Sequence, residues 1–134
     1  MSKDHWSWFE KKVSVDNRVV RVFFHERDVW FCHLGINVGS EQDGKGKKVL
    51  RPIVVMKKFN NGIFWGIPTT KRRRTGKYYF AFAYRNTMSS TAILSQIRLL
   101  DSKRLENRIG RMGRTDFSEM KKRLVSILTE GAPS

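Results

Sequence analysis

Arg51 is followed by Pro52 and then by the apolar run IVVM. Proline holds the residue before it extended, so Arg51 is expected at the start of a strand rather than on a free loop. A guanidinium fixed this way offers its planar donor fork to a phosphate at little further entropic cost. The chain then passes Asn60-Asn61-Gly62, a hairpin signal in which Asn and Gly tolerate positive φ, and returns through FWGIP to Thr69 and Thr70. The hairpin places the end of the return strand beside Arg51. A hydroxyl next to a fixed guanidinium, followed by Lys71, Arg72, Arg73 and Arg74, is an anion cradle, although a threonine there could instead bond its own backbone.

Before Arg51 lies GSEQDGKGKK, where Gly44 and Gly46 free the backbone and Lys45, Lys47 and Lys48 supply charge. It lacks the spacing and the closing Lys-Ser/Thr of a Walker A loop, and reads as a basic flap over a polyanion. Other chemistries have weaker support. His5, His25 and His33 are scattered, and Cys32-His33 lacks the ligand count of a zinc site, so neither metal nor cofactor is expected. No serine or cysteine sits in a nucleophile elbow, and paired carboxylates are missing from the basic middle. His33, near the end of its strand, is a candidate proton carrier. Phe64, Trp65, Tyr78, Tyr79, Phe80, Phe82 and Tyr84 alternate along strands, so half face the core and half could stack bases beside basic side chains.

The elements that must position these groups are short. The spacing of Trp6 and Phe9 predicts a helix over 3–12, followed by an extended segment or small hairpin around Asp16-Asn17. Strands are expected at 28–34, 51–59, 62–68, 77–84 and 92–100, with a weaker one at 107–112. A C-terminal helix follows, with Asp116 and Glu119 as a capping box, Met120, Leu124, Ile127 and Leu128 as its apolar face, and Gly131 and Pro133 as its stop. Such a set makes a mainly β, α+β chain: a strongly bent antiparallel sheet or partly open barrel capped by one helix. The two long connections, 35–50 and 69–76, are where function is expected.

The 134 residues fit one domain, 1–134, and the single Cys32 can form no internal bridge. No apolar run approaches the roughly 18 residues that span a bilayer, and the N-terminus lacks a secretory h-region, so a cytoplasmic protein with no membrane contact is expected. Charge is uneven. The chain carries 27 Lys and Arg against 12 Asp and Glu, yet residues 44–100 hold thirteen basic side chains and no acid. Solubility alone would not require acids to be excluded from so long a stretch; a positive field that recruits nucleic acid would.

The succession DVWFCHLGINVGSEQDGKG, RPIVVMKKF, FWGIPTT and ILSQIRLLDSKRL, ending in the helix, resembles the PemK/MazF toxins of type II toxin–antitoxin systems over residues 28 to about 128. The resemblance implies an SH3-like antiparallel barrel of five to seven strands over 28–130, with 1–27 as an N-terminal extension bearing the extra helix. It further implies a homodimer and a metal-independent endoribonuclease that cuts single-stranded RNA at short sequences through a 2′,3′-cyclic phosphate. Arg51 matches the catalytic arginine and Thr70, rather than Thr69, the catalytic threonine. Glu41 and Gln42 match the acidic-amide pair, and Gln96 and Arg98 the QxR element. RNA would be held by Gln42, Lys45, Lys47, Lys48, Lys71, Arg72, Arg73, Gln96 and Arg98. Some members carry a carboxylate where this chain has Ser95, which leaves Glu41, Ser95 and His33 as candidates for proton transfer or support. A cognate antitoxin, acidic and partly disordered, is the implied partner, with DNA reached only through it. The competing reading is a non-catalytic nucleic-acid-binding module, or a relative on the same fold that poisons DNA gyrase.

Overall fold

The computed structural model describes residues 22–36, 48–84 and 88–131. The expected N-terminal helix and most of the segment after it lie outside these residues, as do Glu41, Gln42, Lys45 and Lys47. Seven strands and one helix follow in order: β1 (Asp28–Ile36), β2 (Lys48–Lys58), β3 (Ile63–Thr70), β4 (Tyr79–Tyr84), β5 (Met88–Ile93), β6 (Arg98–Asp101), β7 (Leu105–Arg111) and α1 (Arg114–Thr129). Every described pairing is antiparallel, the spatial order is β4-β5-β3-β2-β1-β7, and β6 joins β3 off this path. The result is the bent, unclosed sheet with a C-terminal helix that the sequence pattern implies.

β3 is the hub. Its first half, Ile63 to Gly66, pairs with β6, while Thr69 and Thr70 pair with β5. Pro68 stands where the partner changes; it has no N–H to give a ladder, and proline is tolerated in sheets where none is asked of it. Gly66 lies at the tightest contact, since a Cβ there would stand 2.9 Å from Leu100 Cδ1 and 3.0 Å from Phe64 Cε2.

Both faces of the central strands are covered, which is why β2 reads as the unbroken run IVVM rather than as an alternation. Val54 and Met56 join Val29, Ile67, Met112 and the helix residues Phe117, Met120 and Leu124 in one core. Ile53 and Val55 turn the other way, onto Phe24, Trp30, Cys32, Phe64, Leu100 and Leu105. Burying each of the large helix side chains contributes about 1.5–3 kcal/mol. Arg123 Nη1 donates to Tyr79 O at 3.0 Å and Lys77 Nζ meets Glu130 Oε1 at 2.9 Å, tying the helix to the start of β4.

Four local expectations change. The helix begins at Arg114 with Gly113 as its N-cap and no side-chain capping bond, so Asp116 sits inside the first turn, where a carboxylate still suits the helix dipole. Leu128 is 74 % exposed, because the stripe Phe117, Met120, Leu124, Ile127 completes the buried face and the next residue turns away. The Asn60 hairpin forms, but without positive φ at its turn residues; Asn60 Oδ1 instead accepts from the N–H groups of Gly62 and Ile63. The strand expected at 92–100 breaks into the end of β5, a 3-10 turn at Leu94–Gln96 and β6. Leu94 N–H donates to Tyr78 O and its side chain is buried, which turns the chain from β4 toward β3.

Candidate active site

Arg51 lies on β2 opposite Cys32 of β1, half-buried, and its Nη2 donates to Thr69 O at 3.2 Å. The two threonines that end β3 differ in what they do. Thr69 is 1 % exposed and its hydroxyl donates to Pro52 O at 3.2 Å, so it staples β3 to β2 just beyond Arg51. Thr70 is half-buried, and its Oγ1 accepts from Arg72 N–H at 3.1 Å. Among the described residues no group takes the Thr70 O–H hydrogen, which leaves it able to donate to a ligand.

Arg51, Thr70 and Lys71 line a cleft of about 320 Å³. Phe31, Leu50, Pro52 and Tyr84 add apolar lining, and Thr69, Ser89 and Ser90 add hydroxyl groups. Strand order explains the assembly: β1 and β2 bring Phe31 opposite Pro52, while β5 reaches the same end of β3 through Thr70 opposite Thr91. Lys71, Arg72, Arg73 and Arg74 are exposed beside it, and none of them forms an ion pair with a described residue.

The remaining candidates stand elsewhere. Ser95 and Gln96 are exposed on the 3-10 turn and Arg98 is exposed opposite Gly66; none of the three lines the cleft. Lys48 opens β2 opposite Ile36. His33 is outside the lining too, with Nε2 in a 2.7 Å contact with Glu106 Oε1 and Nδ1 buried without a partner among the described residues. The Arg104 guanidinium donates to His33 O at 3.1 Å, three residues before the end of β1. Burial pushes the Cys32 thiol up to about 11, against the nearby charges of Arg104 and Arg98, which draw it down.

Sequence reasoning missed Phe31, Leu50, Ser89, Ser90 and Arg104, and named Tyr84 only as one of seven alternating aromatics. Leu50 carried a readable signal, being an apolar residue directly before a fixed arginine. Ser89 and Ser90 did not, because their position depends on β5 pairing with β3 across a strand the pattern leaves unmarked. Among the described residues no group of three His, Cys, Asp or Glu side chains is placed to hold a metal ion. No described helix is long and apolar enough to cross a membrane.

A bent antiparallel sheet capped by one helix, with a basic, hydroxyl-bearing cleft, defines a small, mainly β protein. More narrowly, the chain belongs to the PemK-like, MazF-like toxins of type II toxin–antitoxin systems, whose family model matches residues 25–128. The fold is shared with solved structures. An endoribonuclease in complex with its cognate antitoxin from a mycobacterial species superposes with a TM-score of 0.64 at 15 % identity, covering 83 % of this chain and 100 % of that one. MazF from Deinococcus radiodurans gives 0.63 at 17 % identity, covering 78 % of this chain and 96 % of that chain. The MazE–MazF structure from Deinococcus radiodurans gives 0.62 at 19 % identity, covering 81 % and 99 %. Identities this low speak for the fold alone. Among curated proteins, none matches the chain.

Proposed function

We propose that the chain is a toxin that cleaves single-stranded RNA without a metal ion, held in check by a cognate antitoxin. The observation that carries this reading is the meeting of Arg51 and Thr70 at one cleft, with the Thr70 O–H hydrogen unused among the described residues. In the proposed step the ribose 2′-oxygen attacks the adjacent phosphorus and the 5′-oxygen leaves with a proton. The products are a 2′,3′-cyclic phosphate and a 5′-hydroxyl. A guanidinium is charged near pH 7, so Arg51 serves as a fixed cation for the five-coordinate phosphorus, and Thr70 donates to one of its oxygens. His33 spends Nε2 on Glu106 and Ser95 lies off the cleft, which leaves Glu41 as the sequence candidate to take the 2′-hydroxyl proton.

Membership of the toxin family supports an antitoxin partner, and the acid-free basic middle suits an acidic, partly disordered segment. We place the protein in the cytoplasm as a homodimer on the same kinship. Incubating the protein with mixed RNA in chelator and mapping new 5′-hydroxyl ends tests the activity. Arg51→Ala is expected to lower cleavage by on the order of a hundredfold or more. RNA bound but left intact by the unaltered protein would leave only a non-catalytic binder.

A further inference from the structure

Arg51, Thr70 and Lys71 are only part of the cleft's lining. It also includes four residues whose apolar groups a phosphate or ribose has no use for, Phe31, Tyr84, Leu50 and Pro52. Leu50 is 45 % exposed although it directly precedes Arg51, so an apolar group is held open to solvent within one residue of the cationic one. Aromatic and aliphatic walls suit the flat, weakly hydrated face of a nucleobase. A cleft of about 320 Å³ is of ligand size, within the roughly 300–1,000 Å³ typical of small-molecule sites.

The same lining carries two β5 hydroxyls of different standing. Ser90 is 6 % exposed and lies opposite Phe82 on β4. Ser89 is exposed, opposite Ala83 of β4, and the Thr70–Thr91 register carries β5 past Lys71 to bring it there. A hydroxyl both donates and accepts, so it matches a base edge by rotating, whereas the neighbouring charges bind any phosphate alike. We propose that the apolar lining of the cleft seats the base adjoining the scissile phosphate, and that Ser89 is the specificity-determining residue that reads its edge. This rests on the endoribonuclease reading above and adds to it the base-selecting residues.

The test maps cleavage sites in a randomised single-stranded RNA pool for the unaltered protein, Ser89→Ala and Leu50→Ala. Ser89 is exposed, so its alanine variant keeps the fold. Ser89→Ala is expected to weaken the base preference at one position flanking the cut roughly tenfold, the worth of one hydrogen bond, leaving preferences farther away unchanged. Leu50→Ala, by cutting back the apolar lining, is expected to admit larger bases at that same position. Cleavage with unchanged preferences in both variants overturns the base pocket while sparing the endoribonuclease reading. A uniform loss at all positions overturns it equally, since that is the mark of a structural role. No cleavage by the unaltered protein removes the reading itself and the pocket with it.

Discussion

At the scale of single residues, the neighbouring threonines separate two kinds of work. Thr69→Val removes the donor to Pro52 O, so stability is expected to fall by about 1–3 kcal/mol in urea unfolding. Thr70→Val gives up a hydroxyl whose hydrogen no described residue accepts and is expected to leave the unfolding midpoint near its original value while RNA cleavage drops; equal effects of the two substitutions on both readouts would contradict the division. The extended backbone at Arg51 was legible in the sequence because Pro52 announces a local restraint. Its expected place at the strand's start was not met: β2 begins at Lys48, since pairing with β1 carries the strand back past the proline's influence. The choice between Thr69 and Thr70 was not legible from the residues themselves, since two adjacent hydroxyls look alike until register sends one toward Pro52. His33 reads in sequence as a proton carrier, yet Glu106, which takes its Nε2, is 73 residues away along the chain.

At the scale of elements, the sequence was clearest where one strand or helix buries a periodic face and weakest where a strand changes partner. The hairpin of β2 and β3 and the stripe on α1 were readable. The break between β5 and β6 was not, because ILSQIRLL keeps an apolar rhythm straight through the 3-10 turn. That turn is imposed from outside by the Leu94–Tyr78 hydrogen bond. The helix start was misplaced for a related reason: Gly113 caps with backbone alone, and no side chain marks it. The junction at β3 also gives a prediction. Gly66→Val would push a branched side chain against Leu100 Cδ1 at 2.9 Å and Phe64 Cε2 at 3.0 Å, and is expected to cost about 1–3 kcal/mol, read as a lower urea midpoint.

At the scale of the whole molecule, charge and burial set the response to solution conditions. If Lys71, Arg72 and Arg73 each meet a phosphate, changing all three to Gln should make the slope of log affinity for single-stranded RNA against log salt shallower by about 2, at roughly 0.7 per contact. An unchanged slope would place the RNA elsewhere. Cys32 responds to pH. Its thiol is raised from 9.0 to about 11 by burial, so between those values the unfolded chain ionises while the folded one keeps its proton. Stability is therefore expected to fall as pH rises through that window, by roughly 2–3 kcal/mol in total relative to Cys32→Ala, compared by urea unfolding on either side of it. The same sulfur, fully enclosed opposite Arg51, also serves as a stopwatch. An alkylating reagent near neutral pH reaches it only during excursions in which the sheet parts, so labelling time counts those excursions. Any companion molecule that clamps the strands should lengthen the wait.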